Sequence, residues 1–200
     1  MASEEVDRNR RRFLTGATTV VGGAGLVALA VPFVSSMGTS ARAQAAGAPI
    51  EVDISLIQEG QRLTFEWRGQ PVWVVRRSQR MIDSLEQIEG RLADPESQQS
   101  TQPEYARNRY RSREPEFLVM IGICTHLGCS PSYRPQEGAA GLGADWLGGF
   151  FCACHGSSYD LAGRVYADQP APLNMEIPPH MFAEDGQTLV IGEDEETQTG

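Results

Sequence analysis

Cys124-Thr125-His126-Leu127-Gly128-Cys129 and Cys152-Ala153-Cys154-His155-Gly156-Ser157 are the two stretches on which the reading of this 200-residue chain turns. They hold all four cysteines and two of the three histidines. A Cys-x-His pair and a Cys-x-x-His pair, brought together, offer two thiolates and two imidazoles. That set suits a 2Fe-2S centre with sulfur ligands on one iron and nitrogen ligands on the other. Zinc also takes two cysteines and two histidines, and four cysteines in an exported chain can pair in any of three ways. Disulfides alone leave the histidines unexplained, and zinc has no need of the hydroxyls on Ser157 and Tyr159 that follow the second block.

Carried by these residues, the pattern resembles the Rieske iron-sulfur subunits of bacterial ubiquinol-cytochrome c reductases, the cytochrome bc complexes. The resemblance implies one 2Fe-2S cluster on Cys124, His126, Cys152 and His155, and a disulfide between Cys129 and Cys154 that ties the two cluster loops together. Rieske ferredoxins and ring-hydroxylating dioxygenases generally keep the ligands and lack that bridge. It also implies that Ser157 and Tyr159 donate hydrogen bonds to a bridging sulfide and a cysteine sulfur, which raises the potential. Leu127 and Gly128 match the docking surface beside an exposed histidine, and Pro170-Ala171-Pro172 matches a loop that covers the cluster from a third side. Two positions depart from the family pattern: Ala153 stands where proline is frequent, and Gln169 where glycine is frequent.

The implied function is that of an enzyme subunit. The cluster takes an electron from ubiquinol at cytochrome b, with a proton on His155 or His126, and passes the electron to a c-type cytochrome in a dimeric multisubunit complex. The metal's charge lowers the pKa of a ligand imidazole, so electron and proton uptake are linked. His155 is favoured by resemblance as the histidine that meets quinol. The alternative is the Rieske small subunit of a periplasmic oxidase such as arsenite oxidase, which touches no quinol.

Outward from the blocks, the N-terminus reads Arg10-Arg11-Arg12-Phe13-Leu14 and then runs uncharged from Phe13 to Met37. Paired arginines before Phe-Leu resemble a twin-arginine export signal, used by proteins that cross the membrane already folded. The uncharged stretch reaches about 37 Å as a helix, against a hydrocarbon core of about 30 Å. Ala41-Arg42-Ala43 and Ala43-Gln44-Ala45 also look like cleavage sites. The family keeps this segment as its sole anchor. Expected, then, are a cytoplasmic tail over 1–12, a single-pass anchor in the bacterial inner membrane over 13–37, and a hinge over 38–49. The arginines before the span leave the head over 50–200 in the periplasm, where a structural disulfide persists.

The formal charge is −9; the first 14 residues carry four arginines against Glu4, Glu5 and Asp7, so the remainder is more acidic still. Such a head offers no footprint for nucleic acid or anionic lipid. Alternation over Ile50 to Ile54 and Leu63 to Trp67, apolar runs at Pro71 to Val75 and Phe117 to Ile123, and segments at Gly149 to Ala153, Arg164 to Tyr166 and Thr188 to Ile191 predict strands. The fold class is therefore all-β, an antiparallel sandwich with a small cluster-binding subdomain over 122–173. A helix is expected over Met81 to Leu92. Beyond it, a solvated insertion carrying Arg107, Arg109, Arg111 and Arg113 could contact a neighbouring subunit. Ser130 to Leu147 is expected as a surface loop, and His180 as a surface histidine.

Overall fold

Apolar residues on both sides of a strand force it between two layers, and this accounts for the run at Pro71 to Val75. The computed structural model describes residues 7–38 and 47–194 and divides into an N-terminal unit and a head. Six short strands form the first two sheets: β1 (Ile50–Asp53), β2 (Arg62–Trp67), β3 (Gln70–Arg76), β4 (Phe117–Ile121), β8 (His180–Phe182) and β9 (Thr188–Ile191). The third sheet takes β5 (Ser132–Arg134), β6 (Gly149–Cys152) and β7 (Ser157–Tyr159). All pairings are antiparallel, in the orders β1-β9-β8, β2-β3-β4 and β5-β6-β7.

The middle sheet has no solvent face along its β3–β4 pair. Val72 and Val74 of β3, with Val119 and Ile121 of β4, pack with Val52, Leu189 and Ile191 of the first sheet. The alternate residues Trp73, Val75, Leu118 and Met120 pack on the other side with Phe150 and Tyr159 of the third. Trp73 stacks on Phe150 with ring centroids 5.4 Å apart, and Phe150 on Tyr133 at 5.1 Å. The third sheet is thereby cemented to the middle one, and its hairpin β6–β7 carries the second cysteine block at its turn.

In the N-terminal unit, helix α1 runs from Arg8 to Ser35, with Asp7 capping it by accepting from the N–H groups of Asn9 and Arg10. It is long and apolar enough to cross a membrane, and it begins inside the expected tail, so Arg8 and Arg10 to Arg12 lie on its first turns. Of the expected hinge, residues 39–46 fall outside the described residues, as do both candidate cleavage sites and the tail before Asp7.

The insertion between β3 and β4 corrects the expectation of a solvated segment. Helix α2 (Gln79–Gln87), capped by Ser78, buries Met81, Ser84 and Leu85, and the predicted helix breaks at Ile88 into a 3-10 turn over Glu89–Arg91. Arg111 is wholly buried. Its guanidinium donates to Ser97 Oγ (2.7 Å), Gln102 Oε1 (3.0 Å) and the carbonyls of Ala162, Gly163 (3.2 Å each) and Met175 (2.5 Å). Arg77 and Arg164 are buried beside it; Arg164 pairs with buried Asp160 at 2.7 Å, and Arg77 donates to the carbonyls of Tyr110 and Pro115. Guanidinium groups enter a core when carbonyls supply their acceptors. Arg107 and Arg109 remain nearer the surface, in ion pairs with Glu104 and Glu89.

Two further expectations are corrected. Ser130 to Leu147 is more than a surface loop, because it supplies β5 and the buried Trp146, which stacks with Tyr166. Arg164 to Tyr166 makes only isolated bridges, to Tyr159 and Leu92.

His180 is no surface residue. It is 0% exposed, with Nδ1 2.9 Å from the carbonyl of Pro178 and 3.2 Å from Tyr105 Oη, while its N–H donates to the same phenol at 2.8 Å. Arg113 lies 3.7 Å from the Tyr105 ring centroid and donates to the His180 carbonyl. Burial, helped by the Arg113 charge, pushes the imidazole down to about 4 from an ordinary 6.5. The fold therefore favours the neutral ring. Its stabilisation is complete above pH 6.5, declines as pH falls towards 4 and is gone below that, a loss of about 3 kcal/mol. Denaturant unfolding of His180→Tyr at pH 7.5 and 4.5 should show a smaller acid penalty than the parent chain; an equal penalty in both would refute this.

Candidate metal centre

Each cysteine block folds as the same tight turn. The N–H of Gly128 donates to the carbonyl of Cys124 (3.1 Å) and that of Gly156 to the carbonyl of Cys152 (2.9 Å). Both glycines sit at positive φ, 81° and 84°, where a side chain would be strained. The first turn is closed again by Cys124 N–H to the carbonyl of Cys129 at 2.8 Å. A shared local geometry thus presents Cys124 and His126 from one tip and Cys152 and His155 from the other.

The tips meet. Cys129 and Cys154 form a disulfide with Cα atoms 6.7 Å apart, and the His126 and His155 rings lie edge to face with centroids at 4.6 Å. Cys124 and Cys152 are free and buried. Burial raises the Cys152 thiol pKa, and hydrogen bonding with Cys124 adds to the effect. His126 Nδ1 is buried without a hydrogen-bond partner among the described residues. Although the sulfurs of Cys129, Cys152 and Cys154 lie within 4.8 Å of one another, the first and third are bonded together and offer no thiolate. Two buried free thiols close enough to interact, and an imidazole nitrogen left open beside a second ring, are what a 2Fe-2S cluster of mixed ligation requires. The residues fit the group.

Tyr159 is fully buried under the first tip. Its oxygen accepts from the N–H of Thr125 at 3.1 Å and lies 3.1 Å from Cys124 Sγ. Thr125 Oγ1, at 3.2 Å, donates its own proton to the carbonyl of Leu173 at 2.6 Å. The phenolic proton is therefore left for the sulfur or for the threonine oxygen, and a thiolate is the stronger acceptor. Burial, reinforced by Cys124, raises the Tyr159 pKa, which keeps that proton in place. Ser157, also fully buried, accepts from the N–H of Ala171 at 3.1 Å, so its proton is available elsewhere. Gln169 Oε1 accepts from the N–H of Ser158 at 3.1 Å, so the residue that replaces the frequent glycine pins the proline segment to β7. Ala153 is exposed, and Leu127 is 70% exposed beside the rings. Thr125 escapes a reading based on ligand spacing. Its only signal is a hydroxyl inside the first block.

Comparison with known proteins decides the family. Residues 94–179 match the family model described as the Rieske [2Fe-2S] domain, and residues 1–40 match the twin-arginine signal of ubiquinol-cytochrome c reductase iron-sulfur subunits. The ubiquinol-cytochrome c reductase iron-sulfur subunit of Allochromatium vinosum is 54% identical over 194 residues, 97% of this chain and 93% of that one. The chain belongs to the ubiquinol-cytochrome c reductase iron-sulfur subunit family. The Blastochloris viridis subunit of the same name is 42% identical over 96% of this chain and 97% of its own. The mitochondrial Rieske subunit of the cytochrome b-c1 complex of Theropithecus gelada is 39% identical over 94% and 63%. Family membership makes this Rieske chain an electron-transfer subunit of an oxidoreductase, with one 2Fe-2S cluster as its cofactor.

Proposed function

We propose that Cys124 and Cys152 hold one iron of the cluster and His126 and His155 the other, and that the head carries electrons from ubiquinol at a cytochrome b subunit to a c-type cytochrome subunit. The observation that carries this reading is the pair of stapled tips, with two imidazoles edge to face and two buried free thiols. When bound, the cluster supplies a one-electron acceptor and donor. The protein supplies the rest. His155 is exposed whereas His126 is half-buried, which supports His155 as the residue that accepts a hydrogen bond from a quinol hydroxyl and takes the proton at its free nitrogen. Leu127 and Gly128 form the apolar rim that seats against cytochrome b, and the proline loop over Pro170, Ala171 and Pro172 excludes water from the third side.

Ser157 and Tyr159 stabilise the more negative, reduced state by donating to sulfur. At about 1 to 1.5 kcal/mol per bond and about 59 mV per tenfold change for one electron, removing both lowers the midpoint by roughly 100 mV. Potentiometry on Ser157→Ala/Tyr159→Phe checks this, and an unmoved midpoint would reject it.

Helix α1 anchors the chain as a single pass in the inner membrane, and the arginines on its first turns keep that end cytoplasmic, so the head works in the periplasm within a dimeric complex. Membranes holding the chain should oxidise ubiquinol with cytochrome c as acceptor, copurify it with a b-type cytochrome, and lose turnover in His155→Leu. Recovery of the mature chain in the detergent-free soluble fraction would instead favour the small subunit of a periplasmic oxidase.

A further inference from the structure

One peptide plane connects the insertion to the cluster tip. The carbonyl of Leu173 accepts from Thr125 Oγ1 at 2.6 Å, and Thr125 Oγ1 is 3.2 Å from the Tyr159 hydroxyl. The N–H at the other end of that plane belongs to Asn174 and donates to Ser100 Oγ at 3.1 Å. Ser100 is held in turn by Asp94 Oδ2 at 3.5 Å. The buried Asn174 side chain locks the same place: Oδ1 accepts from the N–H of Val165 at 2.8 Å, and Nδ2 donates to the carbonyl of Asp94 (3.0 Å) and to Ser97 Oγ (3.1 Å). Two residues before the plane, Ala171 N–H donates to Ser157 Oγ. Residues 171–174 therefore reach the Ser157 hydroxyl directly and the Tyr159 hydroxyl through Thr125 on one side, and the insertion on the other.

We propose that Ser100 and Asn174 are positioning residues for the redox centre: they fix the Leu173–Asn174 peptide, and through Thr125 and Ala171 that peptide aims the Tyr159 and Ser157 hydroxyls at sulfur. The proposal rests on the ligand and hydroxyl roles given above. Hydrogen bonds weaken steeply as their angle closes, so a small drift of this peptide is enough to weaken both donors. Supporting contacts of this kind set how well a site is held. The insertion, which supplies no cluster ligand, thereby acts on the potential.

The test is potentiometry and EPR on the full-length chain in membranes, with circular dichroism of the purified protein to establish folding. Ser100→Ala should lower the midpoint by less than half the shift of Ser157→Ala/Tyr159→Phe, and Ser100→Thr, which keeps the hydroxyl, should restore it. In the Ser157→Ala/Tyr159→Phe background the Ser100→Ala shift should vanish, because coupled residues are not additive. Asn174→Ser serves as the second variant and should behave in the same way. A folded Ser100→Ala chain with the parental midpoint overturns the proposal, as does a shift that persists in the double background. An unmoved midpoint in Ser157→Ala/Tyr159→Phe itself would instead strike the hydroxyl reading, and this proposal with it.

Discussion

Cys129→Ser should yield membranes that contain the chain by immunoblot but have lost the reduced-state Rieske EPR signal and more than nine-tenths of quinol-dependent cytochrome c reduction. The first tip connects β4 of the middle sheet to β5 of the third, the second is the β6–β7 turn, and the Cys129–Cys154 bond is the covalent link between them. It closes a loop with a sequence separation of 25, for which chain entropy alone gives about 3.5 kcal/mol. Without it the tips keep only non-covalent ties, the edge-to-face His126–His155 pair and the contacts of Tyr159 with Cys124 and Thr125 among them. Bonds of about 1 kcal/mol each do not replace that tie. Sheets one and two have their own core and should stay folded, so chain present with cluster absent is the expected pattern. A full-strength signal in Cys129→Ser would refute the argument.

Arg111→Met should cost about 3 to 5 kcal/mol, because it strips acceptors deep in the core of their donor while leaving them buried. The carbonyls of Ala162, Gly163 and Met175 all accept from this guanidinium. Burial brings its pKa down to about 9, which still leaves it charged at neutral pH. At about 2–4 °C per kcal/mol for a domain of this size, thermal unfolding should fall by roughly 10 °C. Arg107→Met, whose parent side chain is exposed and pairs with Glu104, should move it by little. Equal effects from the two variants would show that Arg111 does not brace the core.

The middle sheet was readable in advance because Leu63 to Trp67 alternates and Pro71 to Val75 does not, and each pattern maps onto how many faces of its strand are covered. β5, β7 and β8 are three residues each, too short for any period to show, and they exist because a neighbouring strand recruits them. The insertion misled because arginine density ordinarily marks a wet surface; here backbone carbonyls brought from 162, 163 and 175 supply the acceptors of Arg111, and local sequence cannot announce partners so far along the chain. His180 misled for a related reason, since Pro178-Pro179 suggests an exposed turn while Tyr105, distant in sequence, packs on the ring. At the cluster tips the ligand candidates follow from short spacings, whereas Thr125, Gln169 and Asn174 owe their roles to contacts made only after folding.

A strand pair covered on both sides has an evolutionary cost. At residues 72–75 and 118–121 every side chain is screened by one neighbouring layer or the other, so neither register offers a position where drift is cheap. Divergence among such chains should accumulate instead in the hairpin ends and in the outward-facing residues of β1 and β2, leaving this inner pair as a slow clock within a faster sequence.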